Sequence, residues 1–540
     1  MKKLFSVLMT IVILIMSLSC SVFALDGDYY AENGWQIRSN GMICGYDGDD
    51  ADLVIPGTIH EIEVKGIESE AFSEQTQINS VTMPESLTII GDMAFYKCIS
   101  LSSVTAPGVT DIGESAFCHC KELDSVTFPE LQNIGKTSFK NAGALNGFPF
   151  ENLKKVPRMA FSGSDVANAN LENAVSVFEL AFADCDSLTS ASLPKVDTNA
   201  YMGYAVFQNC SALTDVTFAE SAVLLPSHTF DGCNFSSLDC FDQFEIIEHD
   251  AFANNAALTD ITMKSVKYIA KSAFENCVNL TSADFPYAAE VDQEAFQGCA
   301  SLTNLTLSDN VDLISYDAFN GCENLKYLLV NGPVLLYVDA FSGSSIERLE
   351  MNGLVTAHSL PIVENSIIAL PSTFAECTED TTGRNYRIYG TKGTYAESWA
   401  KENGHEFIEI SQETAILKDI PTEYASGEVL SPDVIGFNRT YQWYGNTTAD
   451  NTSGTPIDGA TDKTFNPADY PASPYYYCVV TSTDEGYEPL EIRTGVTQNT
   501  IACEEKPDHN QPSGGHHIKD IFNSILNFLK AVFRWICSLF

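Results

Sequence analysis

Positive charge is what this 540-residue chain has least of: 29 Lys and Arg stand against 72 Asp and Glu, a formal net charge of −43. Such a surface repels phosphate backbones and anionic lipid over most of its area, so no nucleic-acid partner is expected. A Walker loop, a convincing dinucleotide signature and a histidine pair at the spacing of a zinc helix are also missing. His60, His228, His249, His358 and His405 are scattered, and Asp47-Gly48-Asp49-Asp50 lacks the remaining ligands of a calcium loop and reads as a turn. Cys118-His119-Cys120 is the most tempting nucleophile pair, but Cys120 falls on a periodic position and neighbouring side chains point apart. The chain is therefore expected to be a non-enzyme without cofactor or metal.

What is present is enough apolar material to fold, 45% hydrophobic against 19% charged. Lys2-Lys3, an apolar run from Leu4 to Met16, and Val22-Phe23-Ala24 have the order of a secretory signal peptide cleaved after Ala24. A rival reading lipidates Cys20, although Ser17 stands where that pattern usually has Leu. Both readings export the protein.

The remainder is periodic. Phe72, Phe95, Phe117, Phe139, Phe161, Phe182, Phe207, Phe230, Phe252, Phe274, Phe296, Phe319 and Phe341 recur about every 22 residues. Five residues before each stands an apolar residue, from Ile67, Ile90 and Ile112 through to Ile314 and Leu336. Six after comes leucine in most coils, as in Leu101, Leu123 and Leu280. Cys98, Cys120, Cys185, Cys210, Cys233, Cys277, Cys299, Cys322 and Cys377 each lie three residues after a phenylalanine, so they mark one repeat position and are expected to be buried thiols rather than a disulfide framework. In Leu123-Asp-Ser-Val126-Thr-Phe128-Pro129 the alternation predicts a short strand closed by proline. Ile112 followed by Ala116-Phe117 predicts about one inward-packing helical turn. No coil buries its apolar face alone, so the coils must stack.

Ile112-Gly113-Glu114-Ser115-Ala116-Phe117 through Pro129 closely resembles the BspA-like leucine-rich repeats of bacterial surface proteins. The resemblance covers residues 66–410 and implies a mainly β leucine-rich-repeat solenoid with parallel strands and short helical turns. It also implies a surface location and an adhesion or interaction role, and supplies no catalytic residue. Departures fall at Phe139 and Phe161, followed at the third place by Ala142 and Ser164, and at the longer interval before Phe207.

Residues 25–65 are expected to cap the array's first edge, and Tyr386 to Phe407 its last. From 411 to 505 the period gives way to short strands between Gly, Pro, Asn and Asp clusters, predicting a β-sandwich. Tyr441-Gln442-Trp443-Tyr444 and Tyr475-Tyr476-Tyr477-Cys478 resemble the tryptophan and Tyr-x-Cys strands of an immunoglobulin-like domain, without the usual partner cysteine before the tryptophan. Residues 506–517 read as a linker, in which His509, His516 and His517 have no scaffold to hold a metal.

The outward positions of the predicted strands are Ser and Thr in early coils, as in Ser103, Thr105, Ser125 and Thr127. Later they become Asp260, Asp284, Asn304, Tyr327, Leu329, Arg348 and Glu350, a composition expected of a binding hot spot. The expected function is a secreted or cell-surface, adhesin-like protein that binds a host, matrix or cell-surface protein or glycan. Alternatives are a structural spacer displaying the immunoglobulin-like domain, or carbohydrate capture by that domain through Trp443 and Tyr475 to Tyr477.

Residues 518–540 are predicted to form an amphipathic helix. Ile518, Phe522, Ile525, Leu529, Val532, Ile536 and Leu539 share one face, widened by Trp535. Lys530 and Arg534 near its centre make spanning a bilayer costly, so Ile518, Phe522, Ile525, Leu529, Val532, Trp535 and Ile536 are expected to face a membrane surface peripherally. In liposome flotation the mature chain should enter the lipid fraction and a chain ending at Gly515 should not; equal partition would remove this assignment.

Overall fold

A computed structural model describes residues 29–499 except 197–199, 239–240, 338, 354, 358–365, 378–383 and 425–427. The expected signal peptide, linker and amphipathic helix lie outside the described residues. The described residues form two compact units. One lies within 29–415 together with 435–439 and 482–490; the other lies within 416–434, 440–481 and 491–499.

The first unit is a β-solenoid of about 16 turns. Most coils lay down two short strands. One ladder begins with Asp52–Val54, Ser80–Thr82, Ser103–Thr105 and Ser125–Thr127, paired parallel and in strict register, Val81 to Val104 to Val126. The other runs through Ile89–Ile90, Asp111–Ile112 and Asn133–Ile134. The middle residue of each first-ladder strand and the last residue of each second-ladder strand point inward, as the alternation predicts.

The third edge carries the Ala-Phe pair, and there the structure departs from the predicted helical turn. Backbone φ is positive two residues before and two residues after the phenylalanine, as at Ser115 (56°) and His119 (65°) around Phe117. The segment is a run of tight turns. Alternate N–H groups leave the coil altogether: Ser115, Phe117 and His119 donate to the carbonyls of Lys136, Ser138 and Lys140 at 2.8–2.9 Å. A helical turn would spend those donors within the coil, whereas this conformation gives the edge a third inter-coil ladder. The glycine of the Ile-Gly pair has a separate reason. A Cβ on Gly113 would lie 2.6 Å from the backbone nitrogen of Asp92, so side chains there are excluded where the coils approach closely.

The thirteen phenylalanines form one unbroken column from Phe72 to Phe341. Successive rings lie 5.1–5.8 Å apart with interplanar angles of 3–19°. At its start Trp35, in the antiparallel strands Tyr29–Glu32, Trp35–Arg38 and Met42–Tyr46, meets Phe72 edge-on at 6.3 Å. Met42–Tyr46 then pairs parallel with Gly66–Ile67, so the hairpin continues directly into the second ladder. At the far end Arg387–Gly390, the helix Tyr395–Glu402 and Glu406–Glu409 form a strand–helix–strand closure.

Beside the rings runs a column of buried thiols. Cys98, Cys120, Cys185, Cys210, Cys233, Cys277, Cys299 and Cys322 each donate through Sγ to the carbonyl of the phenylalanine one coil earlier, at 3.0–3.3 Å. Burial pushes Cys98, Cys233 and Cys322 up to about 12. Cys377 does not belong to the column: it ends the strand Phe374–Cys377 and is half-buried, because the period has already been lost there.

In the second unit Thr440–Asn446 pairs antiparallel with Tyr475–Ser482, setting Trp443 opposite Cys478. Trp443 is fully buried, stacks on Phe465 at 4.8 Å and donates through Nε1 to the Asp462 carbonyl. Tyr476 and Tyr477 are also buried, which removes Trp443 and this tyrosine pair as a sugar-stacking platform. They are core residues of the sheet.

Two positions in the columns are poorly matched. Asn255, fully buried at a thiol position, has no acceptor for Nδ2, and the Ser138 hydroxyl, buried where other coils have alanine, has no partner. Asn255→Cys and Ser138→Ala should each stabilise the chain by about 1 kcal/mol by removing an unsatisfied polar group. Urea titration would check this, and a loss of stability would show that both groups are satisfied.

Candidate interaction surfaces on the solenoid

The outward residues of the first ladder line up as predicted in the central coils. Asp260, Ser282 and Asn304 share one register row, and Thr262, Asp284 and Thr306 the next. Asp260 and Asn304 are exposed and Asp284 half-exposed. These three remain available as a polar patch.

The four later residues are brought together, but into a covered cluster. Tyr327 pairs with Arg348, and Leu329 with Glu350, across adjacent strands. Glu350 is fully buried; it is ion-paired with Arg348 and, at 2.6 Å, with Arg439, whose side chain is 8% exposed. Arg439 also donates to the Tyr327 hydroxyl at 3.4 Å, and the Arg348 guanidinium lies 5.1 Å from the centre of the Tyr327 ring. Burial, then the Glu350 charge, raises the Tyr327 hydroxyl above its ordinary value. Tyr327, Arg348 and Glu350 therefore do not form the exposed hot spot expected of them, while Leu329 stays half-exposed beside them. The covering group comes from more than a hundred residues downstream, within the same unit, and no local pattern announces it.

Close by, Asp484 accepts from the Ser372 backbone N–H at 3.0 Å, the Ser372 hydroxyl at 2.8 Å and the Thr391 hydroxyl. Segments 435–439 and 482–490 are thus clasped to the last coils by charge-assisted bonds. Arg439→Ala would leave Glu350 buried beside one fewer cation and should destabilise the protein by about 3 kcal/mol. A change below about 0.5 kcal/mol in chemical denaturation would show that water enters the cluster.

The exposed apolar surface lies on the other ladder. Its outer row, one residue before each inward apolar residue, reads Leu224, Ile246, Tyr268, Glu290, Leu313 and Leu335, all in register. Leu224 is 42% exposed and the others half-exposed. In earlier coils the same place holds the exposed Ile89 and then Asp111, Asn133, Lys155 and Ser176. The signal was readable six residues before each phenylalanine, where the residues from Tyr201 onward are apolar except for Glu290.

At the head of this row the ladder is interrupted. Tyr201–Met202 pairs back to Ser176–Val177, and Leu224–Leu225 pairs forward to Ile246–Ile247, but among the described residues the two are not paired with each other. The turn edge stays continuous, since Ala205 and Phe207 still donate to Ser227 and Thr229. The first ladder is unbroken here too, with Ser190–Leu193 paired to Asp215–Phe218, so the coils separate only at the second ladder. The gap is a cavity of about 340 Å³ lined by Val196, Met202, Phe218, Leu224, Pro226 and Phe244 among others, with the exposed Tyr201 at its edge.

Among the described residues no cluster of His, Cys, Asp or Glu could hold a metal, and no helix is long and apolar enough to cross a membrane.

Solved structures similar to this chain include a leucine rich cell surface protein from Faecalibacterium prausnitzii (25% identity, 61% of this chain and 96% of that one, TM-score 0.41). A leucine-rich repeat protein from Bacteroides ovatus is 19% identical over 72% of this chain and 100% of that one, TM-score 0.49. The pneumococcal vaccine antigen PcpA is 20% identical over 71% and 99%, TM-score 0.38. A search of curated proteins by sequence finds no match. The BspA type leucine rich repeat pattern matches in six copies over residues 57–168, 176–291 and 289–361, more than half of the chain. Carrying that repeat through the stacked rings, thiols and paired strands described above, the chain belongs to the BspA-type leucine-rich-repeat family.

Proposed function

We propose that the protein is a non-catalytic, adhesin-like interaction protein, secreted or held at the bacterial cell surface, that binds macromolecules through its solenoid. The observation that carries this reading is the in-register row from Leu224 to Leu335, a largely apolar strip broken by Glu290 and partly exposed to water, on a protein whose family has no catalytic residues to contribute. The leader at Lys2 to Ala24 supports export. Cys118 and Cys120, beside His119, are buried thiols raised by that burial, which suits packing rather than nucleophilic attack.

The carbohydrate alternative is weakened by the burial of Trp443, Tyr476 and Tyr477, which leaves Tyr475 as the partly exposed ring of the group. The immunoglobulin-like assignment of the second unit remains a proposal, supported by the Trp443 to Cys478 register.

The labelled mature chain, applied to arrays of matrix proteins, epithelial surface proteins and glycans, should bind protein features saturably and be displaced by unlabelled chain. Binding confined to glycans would favour carbohydrate capture. Binding to none would leave the spacer alternative.

A further inference from the structure

The interrupted ladder and the apolar row meet at the same residues. Leu224 belongs both to the lining of the cavity and to the outer row, with Tyr201 across the cavity from it, so a ligand lying along the row from Leu335 towards Leu224 runs directly to the cavity mouth. Two kinds of apolar surface, a flat strip and a pit at its end, are therefore continuous.

The chemistry of the ligand follows from two observations. First, the row is aliphatic at Leu224, Ile246, Leu313 and Leu335, one residue per coil, a surface suited to apolar side chains rather than to sugar rings. A small apolar molecule would fill the pit but leave the row uncovered. Second, Glu290 stands in the row and its borders are acidic: Glu245, Glu248, Asp292, Glu294 and Asp312 accompany the strands, against Lys267 and Lys271. Both lysines are already bridged, to Glu245 at 2.7 Å and to Glu294 at 3.0 Å. Glu220 is exposed two residues before the cavity-lining Ala222.

We propose that the outer row from Leu224 to Leu335 is the docking surface for a basic segment of a partner polypeptide that crosses the coils, with one bulky apolar side chain of that segment seated in the cavity between Met202, Phe218, Leu224 and Phe244. A volume of about 340 Å³ lies at the lower end of the range of ligand pockets, about 300–1,000 Å³, and suits a single large side chain. Such a buried anchor supplies the concentrated binding energy of an interface, while the acidic borders steer a cationic segment and reject an anionic one. This rests on the reading that the solenoid binds macromolecules and adds the place and the partner's chemistry.

The test uses the full mature chain and short fluorescent peptides in which Arg and Leu alternate around one central Trp. Control peptides carry Ala for Trp, or Glu for Arg. Fluorescence anisotropy should show the Trp peptide binding about tenfold more tightly than the Ala peptide, no binding of the Glu peptide, and weakening with salt. Leu224→Lys, at an exposed position, should abolish the Trp preference with an unchanged melting curve, and Met202→Trp should do so by filling the cavity. Equal affinity for the Trp and Ala peptides would overturn the proposal, as would a Leu224→Lys chain that keeps the preference. The array experiment separates the two levels. If Leu224→Lys binds protein features as the unaltered chain does, the solenoid is a binding surface but this site is not its seat. If the unaltered chain binds no macromolecule, the wider reading fails as well.

Discussion

Everything in the solenoid is held to the column of phenylalanine rings. Each ring is sealed from water and touches the ring before and after it, so burial of an aromatic side chain and an offset stack act at the same point in every coil. Removing such a side chain costs about 3–5 kcal/mol in a packed core, a large share of what keeps any domain folded. The stack also dictates the backbone beside it. Keeping the ring inward while sending alternate N–H groups to the next coil requires the positive φ values on either side, which residues as unlike as Ser115, Met93 and His119 all adopt. Conformational strain spread over many non-glycine residues is tolerated because the rings, the thiols and the two strand ladders over-determine each coil.

The thiol column shows how a small donor can replace a larger polar side chain. A cysteine at this position closes one bond, to a carbonyl of the preceding coil, and otherwise behaves as an apolar filler. Exported proteins commonly use cysteine for cross-linking. Here burial and the direction of the Sγ–H bond give it a different use, and asparagine at 255 shows what happens when a side chain with more hydrogen-bonding groups stands in the same slot.

The repeat itself was legible because each phenylalanine, each preceding aliphatic residue and each following leucine obeys a local spacing that burial enforces. The turn at Ser115 to His119 was not, since the choice between a helical turn and an outward-donating one depends on acceptors a whole coil away. The same limit explains the surface. Tyr327, Arg348 and Glu350 have the composition of a binding site in sequence, yet what decides their role is Arg439, remote in the chain. The cavity behind Leu224 left only a faint trace, the longer interval before Phe207, because an extra few residues in one coil do not say on which edge the coils part. The apolar row was readable in principle, one place before each core residue, but strands of two residues give too short an alternation to mark an outward face.

The backbone bonds of the alternate N–H groups around each phenylalanine all run one way: each coil donates forward and accepts from behind. The face a coil offers to its successor is therefore the same face it received from its predecessor, a head-to-tail contact that never closes on itself. A gene built this way can gain or lose whole coils by recombination between its own repeats, and every junction in the product is chemically the one that existed before. The length of the solenoid can thus be adjusted in steps of one coil, while a slip of a single residue would turn the ring column out into solvent.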